Sequence, residues 1–118
     1  MSDTFGGALR QLRLSQGKTL RQFCKEHGFN PGNWSRYERD RIPPPAEGVV
    51  WTWLIRFGVE EDSEGWYHIT DLANVARSQM PYDLMSDAEL VPKLPVLFGA
   101  LRLDRDKLVD LAEIIRSA

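Results

Sequence analysis

Apolar residues recur along this chain at helical spacing, and turn residues divide them into segments of helix length. Runs of period-2 alternation, which a half-buried strand needs, are nearly absent. The pattern therefore predicts an all-α fold. A first helix is expected from about Thr4 to Gln16, with Leu9 and Leu12 in one stripe, Phe5 a turn earlier and Gly17 as its stop. A second opens at Thr19, because Thr19-Leu20-Arg21-Gln22 reads as a capping box in which the hydroxyl caps an amide of the first turn and Gln22 reaches back. Leu20, Phe23 and Cys24 form its inner face and Gly28 stops it. The third takes Asn30 as its N-cap and Pro31 as its first residue, carries Trp34 and Tyr37 three apart, and ends near Asp40.

Arg41-Ile42-Pro43-Pro44-Pro45 cannot continue a helix and reads as a stiff connector. Beyond it, a helix from about Ala46 to Phe57 gathers Val49, Val50, Trp53, Leu54 and Phe57 on one face, with Trp51 and Ile55 as a second apolar strip, and Gly58 closes it. A fifth is expected from about Glu60 to Ser78, with acidic residues in its first turn and Trp66, Ile69, Leu72, Ala73 and Ala76 buried. Met80-Pro81-Tyr82 breaks the pattern, and Ser86-Asp87-Ala88-Glu89 reads as a further capping box. Pro92 and Pro95 leave residues 90–101 open between a kinked helix and two short turns. The last helix is expected over about Asp104 to Arg116, striped by Leu108, Leu111, Ala112 and Ile115.

The segment from 19 to 40 carries the functional signal. A helix of about eight residues ends in Gly28-Phe29, and another follows at once from Asn30-Pro31. Two helices joined by a short glycine-containing turn are the geometry of a helix-turn-helix. Small Cys24 lets the two helices cross closely, and Phe29 and Trp34 plug the core beneath. The span from Phe5 to about Phe57 resembles the Xre/Cro-type, λ-repressor-like helix-turn-helix domains. The likeness lies in Leu9-Arg10-Gln11-Leu12-Arg13, in Thr19-Leu20-Arg21-Gln22-Phe23-Cys24, in Gly28-Phe29-Asn30 at the turn, and in Trp34-Ser35-Arg36-Tyr37-Glu38-Arg39. It divides the chain into a DNA-binding domain at 1–58 and a helical dimerisation or interaction extension at 59–118.

The resemblance implies residue roles. Base reading in such domains comes from the N-terminal half of the third helix, which here means positions 31, 32, 33 and 36. Pro31 and Gly32 bring no side-chain donors, so direct readout is expected from Asn33 and Arg36, with Asn30 at the cap. Arginine suits guanine and asparagine suits adenine, by the fork geometry of each side chain. Few readers per half-site imply modest direct specificity or a share carried by DNA shape. The first residue of the second helix, often a polar phosphate ligand in the family, is Leu20 here, leaving backbone amides at Thr19 to Arg21 for a phosphate. Phosphate contacts are expected from Lys18, Thr19, Arg39 and Arg41, which fix register without reading sequence. Arg13 and Glu38 match positions that often form an internal ion pair and are read as structural. The spacing of Trp34 and Tyr37 assigns them to the core in preference to base stacking.

Composition fits a protein that meets a polyanion on one side. The chain has 118 residues and a net charge of −2. Residues 1–45 hold eight basic and four acidic residues, whereas residues 46–118 hold seven and thirteen. A basic first third on an acidic remainder points towards nucleic acid. The single cysteine excludes an intramolecular disulfide. Met1-Ser2-Asp3-Thr4 shows no secretory pattern, and no segment approaches the roughly 20 apolar residues of a membrane span, so a cytoplasmic protein with no membrane partner is expected. His27 and His68 lack metal-ligand spacing to Cys24, Cys24 sits at a packing position, and Phe5-Gly6-Gly7-Ala8 lacks the strand and lysine of a phosphate loop. No enzyme activity, metal or cofactor is expected.

Helices 46–57 and 104–116 are apolar on more than one face, so each has surface to spare for a partner. Major-groove readers commonly pair over two half-sites, so the resemblance implies a homodimer on pseudo-palindromic double-stranded DNA, acting as an autogenous repressor. Leu108, Leu111, Ile114 and Ile115 are the expected interface. A thicker monomeric core is the plainer reading of the same stripes. Small regulators of this type also include antitoxins that bind a toxin outside the DNA-reading helices, which makes a different protein partner the alternative.

Overall fold

The computed structural model describes residues 4–103, which form helices and no strands. The chain divides into two units, one ending at Pro81 and one beginning at Tyr82. The first unit is built from α1 (Phe5–Ser15), α2 (Leu20–His27), α3 (Pro31–Glu38), α4 (Glu47–Arg56) and α5 (Glu64–Ala76). The second holds α6 (Tyr82–Met85), a 3₁₀ turn at Val91–Lys93 and α7 (Leu94–Leu103). The expected final helix, with Leu108, Leu111, Ile114 and Ile115, lies outside the described residues.

Local chemistry sets the helix boundaries. Thr19 Oγ1 accepts from the Gln22 amide at 3.2 Å, and Gln22 Oε1 accepts from the Thr19 amide at 2.9 Å, closing the capping box that the sequence predicts. Asn30 Oδ1 accepts from the Asn33 amide at 3.1 Å and Pro31 opens α3, where its missing N–H costs nothing. Gly28 ends α2 at φ +73°, a left-handed conformation that glycine adopts without strain. α5 starts at Glu64, later than the acidic run suggests, because Ser63 is the cap and its Oγ accepts from the Trp66 amide at 3.2 Å. Asp62, at φ +63°, belongs to the turn before it.

The break expected at Met80-Pro81-Tyr82 is present, since α5 ends at Ala76 and only the single turn Tyr82–Met85 follows. The later segment departs from expectation in one place. The capping box at Ser86 does not form. Ser86 donates back to the Asp83 carbonyl at 3.2 Å, while Asp87 Oδ1 accepts from the amides of Glu89 and Leu90 at 2.9 and 3.1 Å. The cap has moved one residue along because Ser86 still belongs to the turn that closes α6. At 90–101 a 3₁₀ turn runs directly into α7, with Pro92 and Pro95 in first turns, where proline is tolerated.

The core of the first unit draws on all five of its helices. Leu9, Phe23, Cys24, Trp34, Val50, Leu54, Phe57, Trp66, Ile69 and Ala73 are buried in one cluster. α5 is therefore part of the same packed unit as the helix-turn-helix, and the unit runs past residue 58 to Pro81. Trp51, from the second apolar strip of α4, stacks on Trp66 of α5 at 6.4 Å, while Ile55 stays exposed. Arg77, just after α5, donates to the Pro45 carbonyl and to Asn74 Oδ1, pinning the proline connector to α5.

Gly6 marks the tightest approach between helices. A Cβ there would stand 2.2 Å from the Tyr37 carbonyl oxygen and 2.8 Å from that of Glu38, both backbone atoms that cannot swing away. The close fit lets the Gly6 amide donate to Asp40 Oδ1 at 2.8 Å, so a residue after α3 caps the start of α1. Gly6→Ala is expected to cost about 1–3 kcal/mol despite alanine's better helix propensity, because overpacking outweighs it. Thermal melting checks this: an unchanged or raised Tm contradicts the close approach.

His27 sits at the end of α2 with its ring 4.6 Å from Phe23, 4.9 Å from Phe57 and 6.2 Å from Phe29, and its Nε2 is buried without a hydrogen-bond partner. Burial lowers its pKa; Glu26 opposes this shift, while Lys18 and Arg56 reinforce it. The folded protein thus resists protonation at His27 while the unfolded chain accepts it. Stability is full above the ordinary histidine value of about 6.5 and falls as the pH drops from there towards the depressed folded value. Lys18 holds the Glu26 carboxyl below its ordinary value, so that group responds only at more acidic pH. Melting at pH 7.5 and 5.5 should show a loss that His27→Gln largely removes; an equal loss in both proteins assigns the effect elsewhere.

Candidate nucleic-acid interface

α3 has one buried and one bare side. Trp34 and Glu38, a turn apart, are buried, whereas Gly32 and Arg36, two residues earlier in each case, are exposed. Arg39 and Asn33 are exposed as well. The buried side is held by a polar network. Arg13 Nε and Nη2, from α1, donate to Glu38 Oε2 and Oε1 at 2.8 and 2.9 Å. Trp34 Nε1 donates to Glu38 Oε2 at 2.6 Å, and Arg13 Nη1 donates to the Lys18 carbonyl at 2.9 Å. The hydrogen bond to Glu38 is the main cause that raises the Arg13 pKa further, so the arginine stays charged. The ion pair read from sequence is thus present, buried and bidentate.

Aromatic packing fixes the turn between α2 and α3. Phe29 stacks on Trp34 with ring centres 4.8 Å apart and planes within 9°. Trp34 also meets Phe23 at 5.2 Å and Trp53 at 5.2 Å, and Tyr37 meets Trp53 at 5.2 Å. Trp34 and Tyr37 therefore belong to the core. From α4, Arg56 lays its guanidinium 5.4 Å from the Phe29 ring centre and donates through Nη2 to the His27 carbonyl at 2.6 Å. It satisfies the end of α2 and covers the turn with one side chain, a role that sequence spacing did not reveal because its partners lie nearly thirty residues away.

The residues read from sequence as DNA contacts fall into three groups. Asn33 and Arg36 share the exposed surface of α3, and Arg39 continues it. Asn30 stands at its start, but Oδ1 is taken by the cap, so the side chain cannot offer the paired oxygen and amide that adenine recognition uses. Thr19 is similarly engaged at its amide and as a hydroxyl acceptor, leaving its hydroxyl proton free. Lys18 is ion-paired with Glu26, so a phosphate there competes with a carboxylate. Arg41 is exposed beyond α3.

Arg10 is the residue that sequence reading passed over. It lines a cleft of about 260 Å³ with Arg13, Leu20, Ser35, Glu38 and Arg39. The floor is the buried ion pair, and Arg10 and Arg39 are the exposed cations at its edge. Arg10 stands three residues before Arg13 on α1, a helical spacing that places both towards the same side, but only the fold brings Arg39 to join them. Cys24 offers no chemistry here: it is buried, and burial is the main cause that pushes its thiol pKa up, away from the reactive thiolate.

A short helix, a left-handed glycine and a second helix with one locked and one bare side define a helix-turn-helix domain, a DNA-binding module. Residues 4–57 match the family model described as a helix-turn-helix domain, a family of the Xre/Cro-like type. No curated protein and no solved structure matches the chain.

The network at Glu38 yields a stability prediction. Glu38→Ala leaves Arg13 buried without its counter-ion and is expected to cost about 3–5 kcal/mol, whereas replacing both partners with apolar residues, as in Arg13→Met with Glu38→Leu, should cost much less. Urea unfolding of the single and double variants checks this, and equal losses contradict it.

Proposed function

We propose that the chain is a sequence-specific DNA-binding transcriptional regulator that represses by occupying its operator. The observation that carries this reading is the exposed surface of α3. It holds Asn33 and Arg36, with Arg39 continuing it just past the helix, while the opposite side of the helix is fixed by Glu38 and Trp34. Such a helix enters the major groove as a rigid body and needs no ordering on binding. Arg36 reads a guanine and Asn33 an adenine. Arg10, Arg39 and Arg41 hold the phosphates on either side, with lesser shares for Lys18 and Thr19, whose groups are already engaged. The molecule acts by binding, not by catalysis, and works in the cytoplasm.

Two copies bind one pseudo-palindromic site with recognition helices about 34 Å apart. The pairing surface belongs to the residues after 58, with Leu108, Leu111, Ile114 and Ile115 at its centre and the exposed Val96 and Leu97 of α7 contributing. Those two exposed apolar residues equally suit a different protein, and an antitoxin-like role is the second reading. Mobility shift and footprinting on the DNA upstream of its own gene, with the mass of the free protein from light scattering, separate the two. A two-fold protected site filled by two chains supports the dimeric repressor. A monomer without a specific shift, purified with another protein, supports the second reading.

Arg36→Ala should weaken binding to the specific site by about 1–3 kcal/mol and barely change binding to random DNA, whereas Arg39→Ala should weaken both and flatten the salt dependence by about one phosphate. Titrations on both duplexes at several salt concentrations check this. Equal losses on the two duplexes for Arg36→Ala make it a phosphate contact.

A further inference from the structure

The leading end of α3 differs from the rest of its exposed surface in carrying no hydrogen-bonding side chain. Pro31 is exposed and has neither a backbone N–H nor a polar side chain. Gly32 stands one turn before Arg36 on the outer side of the helix. A Cβ at Gly32 would lie 3.1 Å from Asn30 Oδ1, the oxygen that caps the Asn33 amide, so even the smallest side chain presses on the cap. Asn30 spends its oxygen inside the protein. What this end can offer a base edge is an apolar proline ring and a glycine that lets the backbone come close.

Base edges in the major groove display donors and acceptors, and their one apolar feature is the 5-methyl group of thymine. A guanine or cytosine edge pressed against Pro31 loses water and gains no partner, which is unfavourable. A thymine methyl gains contact there. We propose that the Pro31–Gly32 end of α3 reads a thymine through its 5-methyl group, next to the base that Arg36 contacts. This rests on the reading of α3 as the major-groove element. It gives the two positions without side-chain donors a role in specificity and adds a third read base to each half-site.

The test uses the full chain and a site selected by it from a pool of random duplexes. Each thymine of the selected site is replaced in turn by deoxyuridine, which removes only the methyl group. One thymine per half-site should then weaken wild-type binding about fourfold, the worth of one buried methyl group. In Pro31→Ser, which keeps the helix start and presents a hydroxyl, the same replacement should have almost no effect, with folding checked by circular dichroism and by binding to random DNA. Wild-type binding that ignores every replacement overturns the proposal, as does an equal loss in Pro31→Ser. Failure to select any sequence removes the operator-binding reading itself, and this inference with it.

Discussion

The Glu38 carboxylate accepts from three side-chain donors, two on Arg13 and one on Trp34, and these bonds join α1 to α3 inside the core. An ion pair taken out of water is favourable only when its remaining polar atoms are also satisfied. Here the third guanidinium nitrogen reaches the Lys18 carbonyl, just before α2 begins. One charge pair thereby positions three helices. The cost of shifting it is what makes α3 a fixed feature, because any rotation of the helix strips a buried charge of its partner.

Around that pair the aromatic side chains set the angle of the turn. Phe29, in the turn, is stacked on Trp34 below and covered by Arg56 from α4. Apolar packing tolerates small adjustments, whereas the Glu38 network and the Arg56 bond to the His27 carbonyl depend on direction. Together they leave Gly32, Asn33, Arg36 and Arg39 facing outward on a helix that cannot easily tilt. The functional surface is thus a consequence of how the other side of the same eight residues is buried.

Much of this was legible in the sequence because the signals are local. Thr19 with Gln22, Asn30 with Pro31, and Gly28 each act within a few residues, and each does in the fold what its chemistry suggests. The Arg13–Glu38 pair was legible through resemblance, since nothing local connects residues 25 apart. Other features had no local signal. Asp40 capping α1, Arg56 over Phe29 and Arg10 beside Arg39 are contacts between distant segments, and periodicity tells which side of a helix is apolar without telling what it meets. Trp51 shows the limit: its strip looked spare in sequence, yet it stacks on Trp66 of the same unit. Lys18 looked like a free cation, and Glu26 holds it.

The central claim is that the outer side of α3 lies in the major groove with Arg36 on a guanine. Methylation interference with dimethyl sulfate tests it most directly, because the reagent marks guanine N7 in the major groove and adenine N3 in the minor groove. The account predicts that a methyl group on one guanine N7 in each half-site blocks binding, while adenine N3 methylation does not. Interference confined to adenine N3, or none at any guanine, would contradict it.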